Sequence, residues 1–251
     1  MDVTDHIEQL RRDGVRLADV ASSVAPAAPV PTCPDWSVRD LVRHIGGVHR
    51  WATGFVAGDG RQPLEGDLEQ LVGGWPQDAD LVPWFRAGHA ALVEALAAAP
   101  ADLEAPTFLD APTPLAFWAR RQAHETAIHR VDAESATGGV TGFPPTFAAD
   151  GIDELLLGFA NRPGRELPVH ARRSMLVRTT DVTRSWRITF TPEGFRNRAD
   201  PHDTGAEVEL VGTASDLYLA LWNRRDVTGL TTSGDTDLID LWRDAVRIRW
   251  S

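Results

Sequence analysis

Residues 31–51 read PTCPDWSVRDLVRHIGGVHRW, and the start of a helix can be located within this stretch. Four prolines among residues 25–35 exclude a regular helix there, because proline lacks the amide donor and disfavours the helical conformation before it. Ser37 is a favoured N-cap residue. Asp40, three residues later, occupies the position of the Glu or Gln in a capping box, which makes this capping box imperfect. Apolar residues then follow at helical spacing: Val38, Leu41, Val42, Ile45, Ala52, Phe55 and Val56. The stretch predicts a helix that begins after Ser37 and buries one face.

Helical segments also flank this stretch on both sides. Apolar spacing predicts a first helix over residues 2–24, a third over 80–99 and a fourth over 113–136. A glycine-rich loop over residues 58–74 separates the second helix from the third. Four helices with three connections predict a four-helix bundle in the first half of the chain.

The hydrophobic period changes after residues 137–145 (TGGVTGFPP), the best linker candidate in the chain. Beyond it, three segments alternate apolar and polar residues as half-buried strands do, and three others have helical spacing. The predicted strands cover residues 174–180, 185–191 and 206–211, and the predicted helices cover 153–161, 213–223 and 235–246. We therefore expect two domains, a helical one over residues 1–140 and a smaller α+β one over 146–251.

All 25 basic residues of the 251-residue chain are arginine, and the absence of lysine excludes several reaction classes. No lysine Schiff base can form, which excludes pyridoxal-phosphate enzymes and lysine-dependent aldolases. The phosphate-binding loop that ends in Gly-Lys-Ser/Thr is excluded as well. Cys33 is the single cysteine, so a disulfide framework and a cysteine-rich zinc site are also excluded.

The net charge and the lack of a signal or membrane-spanning segment in the sequence predict a cytoplasmic protein whose partners are small molecules. The net charge of −11 speaks against binding to nucleic acid or to anionic membrane surfaces. The amino terminus is charged and amphipathic, unlike a secretory signal, and no apolar run approaches the roughly 20 residues that cross a bilayer. A monomer and a small homo-oligomer both remain open.

Glu125 and His129, in the segment HETAIH, lie four residues apart and therefore about 40° apart on one helix face. That face also carries apolar side chains, so it is expected to point into the bundle. A buried carboxylate and imidazole require partners, and a metal ion is a recurring partner inside bundles. The alternative is a local contact between the two side chains. His124 lies about 140° from His129, which excludes a zinc-protease site of the HExxH type.

A further ligand has to come from another helix, and the second helix offers His44 and His49. These histidines point about 140° apart, so at most one of them faces a given ion. Helical spacing places His49 within the apolar arc and His44 at its edge, and it does not decide between them. The alternative interpretation of either histidine is a hydrogen-bonded residue of the core.

Residues 31–51 and 120–133 (RRQAHETAIHRVDA) together resemble the mycothiol-dependent maleylpyruvate isomerase family. Residues 209–225 (ELVGTASDLYLALWNRR) and 233–246 (SGDTDLIDLWRDAV) are similar to the carboxy-terminal domain of that family. The resemblance covers nearly the whole chain. It implies a DinB-like, metal-binding four-helix bundle followed by a smaller, sterol-carrier-like α/β domain.

The resemblance also implies a ligand set. The ligand in WSVRDLVRH corresponds to His44, which Glu125 and His129 join, and the implied ion is zinc or another divalent metal. Three protein ligands with an open fourth position are typical of catalytic zinc. Asp132, one turn after His129, would accept the second N–H of that imidazole and fix its tautomer, unless it is a solvated charge at the helix end.

Arg224, in the segment WNRR, resembles the arginine that the family presents toward its active site. The family pattern has a glycine before that arginine, so Arg225 is an alternative match. Arginine binds carboxylates through two parallel hydrogen bonds, which would suit a substrate that carries a carboxylate. The other interpretation of either residue is a solvated arginine at a helix end.

The implied activity is zinc-dependent and uses mycothiol as the thiol cosubstrate, because Cys33 is not the nucleophile in the family pattern. An activated external thiol would add to a small electrophile and catalyse cis–trans isomerisation. A first alternative is a mycothiol S-transferase, for detoxification or biosynthetic conjugation, in which the adduct persists. A second alternative is a non-catalytic metal-binding regulatory module.

Overall fold

The computed structural model describes residues 1–58, 66–200, 202 and 204–246. The chain divides into two compact units, Met1–Thr141 and Gly142–Ser251. Residues 59–65 of the predicted glycine-rich loop lie outside the described residues. A helical first unit and a second unit built on a mixed sheet confirm the predicted fold class. Among the described helices, none combines the length and apolarity that a membrane span requires.

Within its described residues, the first unit contains four long helices and one short helix. They are α1 (Val3–Ser23), α2 (Val38–Ala57), the one-turn α3 (Leu68–Leu71), α4 (Asp78–Ala98) and α5 (Pro114–Ser135). The capping box before α2 is complete, since Asp40 Oδ2 accepts from the Ser37 amide at 2.9 Å and Ser37 accepts in return. α4 begins two residues before the predicted start, because Asp78 and Asp80 both stabilise the positive end of the helix dipole.

Helices α2 and α4 pack closely because small residues lie at their contact. A Cβ atom added to Gly46 would lie 2.2 Å from the Trp84 ring, so a larger residue would have to displace that ring. The Arg50 guanidinium covers the same ring at 3.8 Å, and its Nη2 donates to the Trp84 carbonyl at 2.7 Å. This packing fixes the rotation of α2, and with it the direction in which its histidines point.

Helix α5 is anchored to α1 by buried charges. Arg130, 1% exposed, donates from Nε to Asp13 Oδ1 at 3.1 Å and from Nη1 to Glu134 Oε2 at 2.7 Å. Arg16 of α1 also donates to Glu134, at 2.8 Å. Buried charges are tolerated when each has a partner, so this network favours one position of α5 over others.

The second unit contains a six-stranded sheet with the order β3-β2-β1-β5-β6, in which β4 also pairs with β2. Strands β1 and β5 are parallel, and the other pairs are antiparallel. The strands are β1 (Arg173–Thr179), β2 (Ser185–Thr191), β3 (Gly194–Phe195), β4 (Arg198–Ala199), β5 (Val208–Gly212) and β6 (Thr231–Gly234). The predicted strands correspond to β1, β2 and β5. The others were not predicted, because they are too short for an alternation or, in β6, exposed throughout.

The part of the second unit that the structure describes also contains three helices: α6 (Pro145–Asp153), α7 (Ala214–Leu221) and α8 (Asp237–Ala245). A π-helical turn, Glu154–Phe159, continues α6. The prediction of a helix from residue 153 was therefore wrong at its start, which lies at Pro145 within the predicted linker. Proline suits the first turn of a helix, where no amide donor is needed, so a proline at this position marks a start and not a break.

Candidate metal centre

Helices α2 and α5 bring together the side chains of His44, Glu125 and His129. Glu125 Oε1 lies 3.5 Å from His44 Nε2 and 3.2 Å from His129 Nε2. One potential ligand atom from each residue lies within 4.8 Å of the other two. Of the two histidines that α2 offers, the structure therefore places His44 beside the pair on α5.

The three side chains differ in their exposure. His129 is 1% exposed and Glu125 5%, whereas His44 is 13% exposed. Trp36 precedes α2, and its ring centroid lies 4.9 Å from that of His44 and 5.9 Å from that of His129. The cluster is thus enclosed on the α5 side and bordered by an indole, and its most accessible member is His44.

Asp132 fixes the orientation of the His129 ring. Its Oδ2 lies 2.8 Å from His129 Nδ1, and because a carboxylate only accepts, the ring nitrogen donates. Thr32 donates to the other oxygen of Asp132 at 2.6 Å. Asp132 is fully buried, so it is not the solvated charge of the alternative interpretation. Thr32 was not singled out from the sequence, because it lies in the proline-rich segment far from α5.

With Nδ1 donating to Asp132, the Nε2 atom of neutral His129 presents a lone pair to Glu125 Oε1 at 3.2 Å. Two lone pairs at that distance repel unless a cation lies between them, and the cation is either a second imidazole proton or a metal ion. Ligand atoms on tetrahedral zinc, with bonds of about 2.0–2.1 Å, lie roughly 3.4 Å apart. The separations of 3.5 and 3.2 Å fit that geometry. The residues present therefore fit a metal ion with two imidazole nitrogens and one carboxylate oxygen.

Electrostatics favours an ionised Glu125. Burial opposes its ionisation, but the Arg121 charge and the hydrogen bonds to both histidines outweigh burial and hold the pKa of Glu125 well below its usual value. Arg121 Nη2 donates to Glu125 Oε2 at 2.7 Å. Sequence reasoning missed Arg121, although its spacing of four residues from Glu125 is that of a helical ion pair.

The pKa values of His44 and His129 shift in opposite directions. Burial lowers the pKa of His44, and its bond to Glu125 opposes this only in part. Burial would also lower the pKa of His129, but the bonds to Asp132 and Glu125 prevail and raise it. A proton therefore competes with a metal ion more strongly at His129 than at His44.

The remaining histidines of the two motifs lie elsewhere. His49 is fully buried, and its Nε2 lies 2.8 Å from Thr126 Oγ1, which makes it a hydrogen-bonded core histidine. His124 lies 6.0 Å from the His6 ring, between centroids, and belongs to no ligand set with His129.

In the second unit, the predicted arginine Arg224 follows a residue with a left-handed backbone conformation. Asn223 has φ 59°, a left-handed conformation that favours glycine and tolerates asparagine. Arg224 follows it directly and donates from Nη1 to the Trp222 carbonyl at 3.0 Å. Arg225 forms an ion pair with Asp216. Asn223 therefore has a backbone conformation that glycine adopts readily, and the correspondence of Arg224 to the family's arginine stays a prediction.

Comparison with known proteins gives one family for both units. The profile of the mycothiol maleylpyruvate isomerase N-terminal domain matches residues 7–134, and that of the corresponding C-terminal domain matches residues 146–241. A comparison with curated proteins gives no match.

Among solved structures, the crystal structure of the mycothiol-dependent maleylpyruvate isomerase is similar to this chain at 16% identity and a TM-score of 0.60. That of a histidine-to-alanine mutant of a mycothiol-dependent maleylpyruvate isomerase gives 15% identity and a TM-score of 0.63. Each comparison covers 93% of both chains, and at these identities it shows a shared fold. The chain belongs to the mycothiol maleylpyruvate isomerase family.

Proposed function

We propose that the protein is a zinc-dependent enzyme that activates mycothiol for addition to a small electrophile, of the maleylpyruvate isomerase type. The observation that carries the proposal is the convergence of the three side chains: Glu125 Oε1 lies 3.5 Å from His44 Nε2 and 3.2 Å from His129 Nε2, and one ligand atom of each residue lies within 4.8 Å of the others. Family membership supports the thiol and the isomerisation.

The residues divide the work in a definite way. His44, Glu125 and His129 would hold the ion through three atoms and leave a fourth position for an incoming ligand. Bound zinc would supply a Lewis acid that lowers the pKa of a thiol at that position. Asp132 accepts a hydrogen bond from His129 Nδ1 and would thereby keep the Nε2 atom of His129 directed toward the ion.

The proposed reaction needs no nucleophile from the chain. The cosubstrate thiolate adds to the activated cis double bond and forms a carbon–sulfur bond, while the electron pair of the double bond moves into the conjugated carbonyl. The former double bond is now a carbon–carbon single bond, and the adduct rotates about it. The carbon–sulfur bond then breaks, which restores the double bond in the trans configuration and returns the thiolate. Arg224 would bind a carboxylate of the substrate through its guanidinium.

An assay of product type tests this proposal against its alternatives. The purified protein is incubated with mycothiol and a panel of electrophiles that includes maleylpyruvate, and the products are identified by mass spectrometry. A trans isomer without an adduct is the expected product. A stable thioether would identify an S-transferase, and no reaction with any electrophile, despite a bound metal, would support a regulatory module. The His44→Ala variant is the matched control, because it removes one ligand and leaves α5 intact.

A further inference from the structure

The two carboxylate oxygens of Glu125 have different partners. Oε1 faces the histidines, at 3.5 Å from His44 Nε2 and 3.2 Å from His129 Nε2. Oε2 accepts from Arg121 Nη2 at 2.7 Å. Both side chains of this ion pair are buried, at 3% exposure for Arg121 and 5% for Glu125. One oxygen is therefore directed to the candidate metal centre, and the other is held away from it.

This arrangement differs from an ordinary helical ion pair. An exposed pair four residues apart contributes little, because water solvates both charges. A buried guanidinium carries a large desolvation cost, which is compensated only when its geometry and partners are well defined. The hydrogen bond of 2.7 Å is short, as charge-assisted bonds are, and it fixes the rotation of the carboxylate about its last bond.

We propose that Arg121 is a positioning residue that keeps Glu125 a one-oxygen ligand and so preserves an open coordination position. The inference rests on the proposed metal centre. A carboxylate released from Arg121 can turn and offer both oxygens to the ion, which raises the coordination number and occupies the space that an incoming thiol requires. Arg121 also partly neutralises Glu125, which leaves the ion a stronger Lewis acid than it would be beside an unpaired carboxylate.

Cobalt(II) substitution gives a direct readout of coordination number, independent of catalysis. Four-coordinate cobalt(II) absorbs much more strongly in the visible region than five- or six-coordinate cobalt(II). The test compares cobalt spectra of the full-length wild-type protein with those of Arg121→Leu, which cannot hold Oε2, and Arg121→Lys, which retains one charged donor. Arg120→Leu is the matched control, since it removes the same side chain from the adjacent position of α5, which contributes no ligand atom.

We expect an intense spectrum for the wild type and Arg120→Leu, and about a twofold or larger loss of intensity for Arg121→Leu. Arg121→Lys should recover part of the loss. Where Arg121→Leu fails to fold by circular dichroism, Arg121→Met takes its place, because its unbranched side chain suits a buried helix position and has no N–H donor to hold Oε2. An unchanged spectrum in the folded variant would overturn the role of Arg121 while leaving the metal centre intact. A wild type that binds no cobalt or zinc would overturn the metal centre itself.

Discussion

Asp132 Oδ2 lies 2.8 Å from His129 Nδ1, three residues away on the same helix, and both side chains are almost completely buried. This single contact decides which nitrogen of His129 faces Glu125 and His44. A ligand imidazole whose second nitrogen is held by a carboxylate has a fixed tautomer and a more basic donor atom.

Replacement of Asp132 by asparagine should weaken zinc binding by about 10- to 100-fold, because the amide no longer fixes the His129 tautomer or increases its basicity. Competition with a chromophoric chelator measures the affinity. Thr32→Val should have a smaller effect in the same direction, since it removes only the donor to Asp132 Oδ1. The matched control is Asp102→Asn, at an exposed position. Equal affinities in Asp132→Asn and the control would show that His129 needs no orienting partner.

Zinc affinity should fall on acidification, starting above the ordinary histidine pKa of about 6.5. The reason is the raised pKa of His129, whose proton must leave before the metal binds. In the metal-free protein the same raised pKa stabilises the fold below the unfolded value, and that contribution is lost as pH rises through the folded value. Glu125 acts oppositely, because its lowered pKa gives stability that is lost as pH falls through its folded value.

Competition titrations between about pH 8 and pH 6 measure this dependence. The Asp132→Asn variant should move the onset to lower pH, because Asp132 contributes to the raised pKa of His129. An affinity that stays constant across that range would contradict histidine ligation.

Replacement of His49 and replacement of His44 should have opposite consequences. His49→Phe removes a buried bond to Thr126 and should lower the free energy of unfolding by about 1–3 kcal/mol while zinc content is retained. His44→Ala should remove zinc, with little effect on the stability of the metal-free protein. Zinc analysis and urea unfolding of both variants distinguish the two roles. Loss of zinc in His49→Phe, with zinc retained in His44→Ala, would show that the ligand is His49 and not His44.

Arg224→Gln should lower kcat/KM for an electrophile that carries a carboxylate by about 10- to 100-fold, as expected for a lost charged hydrogen bond. A neutral electrophile should be affected much less. Arg225→Gln is the matched control, because its guanidinium already pairs with Asp216. Steady-state kinetics on the two substrates makes the comparison, and equal effects of the two variants would argue against a specific role for Arg224.

The packing of α2 on α4 predicts a sensitive position at Gly46. Its added Cβ would lie 2.2 Å from the Trp84 ring, so Gly46→Ala should destabilise the protein by about 1–3 kcal/mol. Gly139→Ala, where a Cβ would meet open space, should be neutral by comparison. Thermal unfolding of both variants checks this, and an equal effect would contradict the close approach of the helices.

The sequence predicted the long helices well, because capping residues and apolar spacing are local signals. Ser37 and Asp40 locate the start of α2, and Pro114 locates the start of α5. Local signals fail where a decision depends on how two helices meet. Helical arithmetic could not choose between His44 and His49, since the rotation of α2 is fixed by Gly46 against α4.

Other features could not be predicted because their partners lie far away in sequence or their segments are too short for a pattern. The bond from Thr32 to Asp132 joins residues 100 positions apart. The two-residue strands β3 and β4 exist only as partners of β2, so no alternation could reveal them. The spacing of four residues between Arg121 and Glu125 could have predicted their ion pair. Only the burial of both side chains distinguishes this pair from a surface ion pair, and the sequence does not show that burial.

Metal analysis of the wild type and of Glu125→Ala, both purified without chelator, tests the central claim most directly. Glu125 Oε1 is the atom that lies near both histidine nitrogens, so its loss should abolish the site. We predict about one zinc ion per chain in the wild type and essentially none in the folded variant. An unchanged metal content in Glu125→Ala, or a wild type that binds no divalent metal, would contradict the account.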